Sequence, residues 1–260
     1  MDGVRLTREA KDAAIGGGAN LAGVVAVSDM PEHSGEIQRL LPGAKSLLVL
    51  AVAHSLGSLL SGNNQAAQYD TIFTYDECLR AASAASRRLE RQGYLSVAVP
   101  AFIPLDMGDE KKGMRGEICW RRAGVRAGLG SYGENGLLVT RDYGSAVRLV
   151  GVLTTAPLNP DAPLQEDCCD HCGRCLAACP VSALRGEGKV NKKHCGDREF
   201  LYGYRYFEKL VGELHSGTGA GGAKSFTGKD LRELWQTLMT GNYYYCFRCQ
   251  SQCAGGKSRI

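Results

Sequence analysis

Nine of the 11 cysteines in this 260-residue chain fall between residues 168 and 253, and only Cys78 and Cys119 lie outside that stretch. Crowding of this kind limits the fold more than any other feature. It divides the chain into a cysteine-poor unit, residues 1–165, and a cysteine-rich unit, residues 166–260. The N-terminus, MDGVRLTREAKD, is polar from residue 2 and lacks the apolar core of a secretory leader. A cytoplasmic, reducing location is therefore expected, where clustered thiols bind metal more often than they pair as disulfides.

Within the second unit, CDHCGRCLAACP places Cys169, Cys172, Cys175 and Cys179 at the spacing C-x2-C-x2-C-x3-C, with Pro180 next. That is the bacterial ferredoxin run. Three thiolates on a tight loop can wrap one face of a [4Fe–4S] cube, while the fourth points to a neighbouring cluster. The chain later supplies Cys246-x2-Cys249-x3-Cys253, with Cys195 alone between the runs. Eight cysteines then serve two clusters: Cys169, Cys172, Cys175 and Cys253 the first, Cys179, Cys195, Cys246 and Cys249 the second. A zinc site would strand four of these thiols. Cys168-x3-Cys172-x2-Cys175 also fits the three-cysteine motif of radical enzymes, but it lies too late in the chain for their barrel. Cys168 is thus read as a packed or spare thiol.

The rest of the composition is that of an ordinary globular protein: 44% apolar, 22% charged, net charge +4. That charge is too small to argue by itself for nucleic acid or an anionic membrane. No run of apolar residues approaches a membrane span.

In the first unit, a helix is expected over 4–19, strands at LAGVVAV and at Ser46–Ala53, and an amphipathic helix over 75–92. A strand follows at YLSVAVPAF, then a helix over 117–127 and two strands around Tyr143-Gly144. Strands and helices mix without a strict repeat, which predicts a layered α/β or α+β domain. Gly128, Gly130 and Gly133 match G-x-G-x-x-G, but they follow a helix and lead into a strand, the reverse of a dinucleotide-binding turn. Gly217–Ser225 reads as a loop, not a phosphate cradle.

Together these marks resemble the epoxyqueuosine reductase and reductive dehalogenase superfamily. PGAKSLLVLAVA from Pro42 is similar to the family's early buried strand. AGLGSYGENGLLVTRDYGS from Ala127 is similar to its glycine-rich segment, and the cysteine motifs follow in the family's order. The resemblance implies a degenerate nitroreductase-like domain followed by a ferredoxin-like module with two [4Fe–4S] clusters, an α+β architecture. It also implies bound cobalamin, with Gly128, Gly130, Ser131, Tyr132, Gly133 and Asn135 as candidate contacts. The glycines serve equally well in a tight helix-to-strand turn. The implied activity is an iron–sulfur oxidoreductase that reduces cobalamin for a reductive reaction on a small molecule. An external low-potential electron donor would feed it. The alternative is an electron-transfer protein that serves a partner such as a corrinoid protein; a third possibility retains flavin.

Two departures shape further expectations. The family's acidic proton donor ahead of its GLG triplet has no counterpart in KKGMRGEICW, and Asp106, Asp109 and Glu117 read as solvated loop carboxylates. The chain stops soon after Cys253, without the helical repeats that help epoxyqueuosine reductases hold tRNA, which argues against a nucleic-acid substrate. Tyr202, Tyr204, Tyr206 and Tyr243–Tyr245 flank cluster ligands and read as rings that shield the clusters. His54, His171 and His194 are weak candidates as cobalt ligands, and Cys78 and Cys119 read as small core residues.

Overall fold

The computed structural model describes residues 3–100, 116–202, 206–207, 210–212, 215, 228–241 and 244–253. Helix α1 (Gly3–Gly16) leads to β1 (Leu21–Ala26), α2 (Ser34–Leu40), β2 (Ser46–Ala53), α3 (Leu56–Leu60) and the long α4 (Asn64–Glu90). β3 (Ser96–Val99), α5 (Trp120–Arg126), β4 (Ser131–Tyr132), β5 (Leu138–Val139) and β6 (Val147–Thr154) complete the first unit. The cysteine-rich part holds four helices among its described residues: α6 (Arg174–Ala177), α7 (Lys192–Glu199), α8 (Gly228–Thr240) and α9 (Arg248–Ser251).

The main sheet runs in the order β1-β2-β6-β3, and every pairing in it is antiparallel. Leu21 faces Ala51, Leu47 faces Leu153, and Val99 faces Gly151. With no parallel pair among the described strands, the fold is α+β.

Helices cover both faces of the sheet, and this explains why β2 reads SLLVLAVA without polar alternation. Leu47, Val49 and Ala51 join Met30, Ile37, Trp120 and Leu149 on one side. Leu48, Leu50 and Val52 meet Leu6, Ala10, Ala81, Ala85 and Leu89 on the other. Each such Leu or Val, fully buried, contributes about 1.5–3 kcal/mol. Trp120 lies so close to β6 that its ring would stand 2.2 Å from a Cβ at Gly151.

Helix α4 begins 11 residues before the position expected from hydrophobic spacing. The reason is Asn63, whose side-chain oxygen accepts from the amides of Gln65 (2.9 Å) and Ala66 (3.1 Å) and so caps the first turn. The added part of α4 carries Gln65 and Gln68 to Tyr245 and Tyr244 of the cysteine-rich part, and Asp70 to His54. No helix among the described residues is long and apolar enough to cross a membrane.

Candidate metal centre

The cysteine-rich loop turns twice in left-handed geometry, at His171 (φ 53°) and Gly173 (φ 71°), before α6 begins. Those turns bring thiols three residues apart to one side. Cys169, Cys172, Cys175 and Cys253 line a single cleft, with Cys168, Asn135, Val139 and Gly144 in its wall. Arg174 Nε donates to Cys172 Sγ at 3.3 Å.

Cys253 reaches the cleft from the far end of the sequence, and its place is fixed by the turn between β5 and β6. The Ser145 amide donates to the Cys253 carbonyl (3.1 Å), and Gln250 Nε2 donates to the Ser145 carbonyl (3.1 Å). Asn135 Nδ2 in turn donates to Ser145 Oγ (3.1 Å). Gly144 sits at φ +55°, and a Cβ there would stand 1.6 Å from the Cys253 carbonyl oxygen. Only glycine fits.

The second set is arranged around α7 and α9. The Ala183 amide donates to Cys179 Sγ at 3.2 Å, and Cys195 Sγ lies 3.8 Å from Glu199 Oε2. Asn191 caps α7 through the His194 amide.

The electrostatics follow the same grouping. Burial, then the neighbouring Cys253, Cys169 and Cys172, push the Cys175 thiol up to about 11. Burial, then Glu199, Cys246 and Cys179, push the Cys195 thiol up to about 12. Burial raises Cys249 further, with Cys246, Glu199, Cys195 and Cys175 adding to it. Four crowded thiols resist losing their protons together, and the positive iron of a bound cluster is what such a set needs. The donor sets fit that group. Among the described residues, no three His, Cys, Asp or Glu side chains are gathered closely enough to hold a single metal ion.

The glycine-rich segment serves as a dock for this loop. Ser131 Oγ donates to Asp167 and accepts from the Cys168 amide (2.9 Å). Glu134 accepts from His171 Nδ1 (2.6 Å) and from the Glu187 amide (2.7 Å). A Cβ at Gly128 would stand 2.5 Å from the Ala162 carbonyl, and at Gly130 2.2 Å from that of Val139. A Cβ at Gly133 would meet the Val139 side chain at 2.4 Å. Asn135 is buried. Of the six residues expected at cobalamin, Tyr132 alone is exposed, and its hydroxyl lies 3.9 Å from Cys119 Sγ.

Two expectations need correction, those for Glu117 and Cys119. Glu117 is not a solvated loop carboxylate; it is buried and pairs with Arg39 at 2.5 Å. Cys119 is half-buried beside Tyr132 and not part of the core, whereas Cys78 is packed within it. His54 is buried with Nδ1 on Asp70 (2.5 Å), and His194 is exposed. Tyr202 packs edge-on to Tyr206 and Tyr245, and Tyr244 packs against Phe200 and Tyr75. Asp106, Asp109, Tyr204, Tyr243 and Gly217–Ser225 lie outside the described residues. Sequence reasoning missed Ser145, Glu134, Asp167 and Arg148. Arg148 did leave a signal, as a lone cation within the apolar strand VRLVGVLT.

No protein-family model matches the chain. Its sequence is similar to the epoxyqueuosine reductase of Listeria monocytogenes, 45% identical over 80 residues, covering 31% of this chain and 21% of that protein. It is 32% identical over 165 residues to the epoxyqueuosine reductase of Bacillus cereus, covering 61% of this chain and 40% of that protein. The chain thus spans well under two thirds of the length of these relatives. Its fold matches an epoxyqueuosine reductase crystallised with a modified tRNA-Tyr stem loop, with a TM-score of 0.58 at 20% identity over 98% of this chain and 66% of that one. It also matches a catabolic reductive dehalogenase in complex with 3-bromo-4-hydroxybenzoic acid, with a TM-score of 0.60 at 16% identity over 76% of this chain and 30% of that one.

Proposed function

From its similarity to epoxyqueuosine reductases and reductive dehalogenases, we propose that the chain is a member of that superfamily and a cobalamin-dependent iron–sulfur reductase of the cytoplasm. Residues 1–165 form the cobalamin-binding unit in this reading, and residues 166–260 the electron-carrying one. Cys169, Cys172, Cys175 and Cys253 hold the first [4Fe–4S] cluster; Cys179, Cys195, Cys246 and Cys249 hold the second.

The observation that carries the reading is the single cleft lined by Cys168, Cys169, Cys172, Cys175 and Cys253, five cysteines from two distant stretches, and walled by Asn135 and Gly144 of the first unit. When bound, the clusters and cobalamin supply low-potential electrons and the reducing centre. The protein's own residues do the positioning. Ser145, Gln250 and Asn135 hold the Cys253 turn, and Ser131 and Glu134 hold the loop around Cys169. Gly128, Gly130, Ser131, Tyr132, Gly133 and Asn135 are the proposed cobalamin contacts, with Tyr132 the most exposed of them.

An external donor supplies the electrons. For substrate, a small molecule remains the first reading. The two solved neighbours add a modified nucleoside in a tRNA stem loop and a halogenated hydroxybenzoate as compounds to offer. The net charge of +4 gives no strong pull on RNA, so the small molecule is preferred. An electron carrier without its own substrate is the weaker reading, since the relatives are named as reductases.

The test is an anaerobic titration of the iron-reconstituted protein with cobalamin, followed by gel filtration. Stoichiometric co-elution with a base-off spectrum is expected. Elution of all the corrin in the small-molecule volume would overturn the cobalamin part of the reading.

A further inference from the structure

Arg148 is the one cation placed within β6, and it points to the face shared with α4 rather than to solvent. Its guanidinium lies 4.5 Å from the ring centroid of Tyr244 and 5.3 Å from that of Tyr75. The two rings are stacked at 6.3 Å, and their hydroxyls are 3.3 Å apart. Gln68 Nε2 fixes the Tyr244 carbonyl at 2.9 Å, and Phe200 packs on the outer side of Tyr244 at 5.6 Å. Arg148 Nε is buried with no hydrogen-bond partner, and Arg148 forms no ion pair among the described residues.

A cation packed between two ring faces, with Glu199 the carboxylate that acts on its charge, is expensive unless something nearby gains from that charge. Through Tyr244 and Glu199 its surroundings lead to the second thiol set. Tyr244 stands two residues before Cys246, and Phe200 follows Glu199, whose carboxyl reaches Cys195. Arg121, the other cation on this side, gives its guanidinium to the Gly136 carbonyl at 2.7 Å. Four thiolates around an iron cube leave a negative charge, which grows when the cube takes up an electron. A fixed cation nearby favours the reduced state.

The geometry points to Arg148 as the residue that tunes the second cluster, its charge held by Tyr75 and Tyr244 so that this cluster is easier to reduce than it would be without it. The inference rests on the proposed second cluster.

The experiment is a redox titration of the anaerobically loaded protein followed by EPR, comparing wild type with Arg148→Gln and Arg148→Lys. Cys195→Ser identifies which signal belongs to the second cluster. In Arg148→Gln the reduction equilibrium of that cluster should fall at least tenfold, about 59 mV for one electron, while the first cluster moves less. Arg148→Lys keeps the charge and should stay closer to wild type. Equal movement of both clusters, or none, would overturn the inference. So would loss of iron from both variants, which would make Arg148 a scaffold residue. A wild-type protein lacking a second cluster signal would instead overturn the proposed function.

Discussion

The backbone amide of Ser145 donates to the carbonyl of Cys253 at 3.1 Å, joining the turn after β5 to the last cysteine of the chain. Through this bond the first unit shapes a thiol set whose other members lie on a separate loop. The relationship explains why a glycine at 144 and an asparagine at 135 matter to a centre made of cysteines.

Replacing Gly144 with alanine should therefore damage the first cluster selectively. The φ of +55° costs about 1–2 kcal/mol for a residue with a Cβ. The overlap with the Cys253 carbonyl forces that turn away. Iron content should fall from about eight toward about four per chain, with one of two EPR signals retained.

The ligand sets predict paired phenotypes. Cys253→Ser should remove the same EPR signal as Cys175→Ser, and Cys249→Ser the same signal as Cys195→Ser. Cys168→Ser should leave both. Loss of the first cluster in Cys168→Ser, with Cys169→Ser intact, would move the ligand set by one residue.

Stability of the first unit should depend on the contact between Trp120 and Gly151. Trp120→Ala removes the ring that fills this face of the sheet and should cost about 3–5 kcal/mol in urea unfolding. Asn63→Ala, which removes only the α4 cap, should cost about 1 kcal/mol.

His54 gives a pH dependence with a definite sign. Burial, against the opposing pull of Asp70, lowers it from 6.5 to about 4. The unfolded chain thus takes up a proton near pH 6.5 that the folded chain refuses until about pH 4. Stability from this group is complete above pH 6.5 and is lost as pH falls, by on the order of 3 kcal/mol at pH 4. His54→Gln should flatten the stability profile over that window; an unchanged slope would show that other groups cause it.

Much of this was legible in the sequence, for identifiable reasons. The closeness of these cysteines was readable because a tight loop leaves thiols little choice of neighbour, and the structure groups Cys168, Cys169, Cys172, Cys175 and Cys253 in one cleft. The strand at Ser46–Ala53 was readable from its unbroken apolar run. The start of α4 was not, because its first 11 residues bury polar side chains such as Gln68, Thr71 and Thr74, so no apolar stripe marks them. Glu117 was misread because nothing local announces Arg39, which lies 78 positions away. Asn135 was singled out through resemblance, yet the contact the structure gives it is with Ser145, a pairing only the fold creates.

The central claim is that eight of these cysteines hold two [4Fe–4S] clusters beside a corrin. Counting iron, sulfide and cobalt in protein purified without oxygen from cobalamin-supplied cells tests it most directly. About eight irons, about eight sulfides and about one cobalt per chain are predicted. Zinc in place of iron, or about four irons with no cobalt, would contradict it.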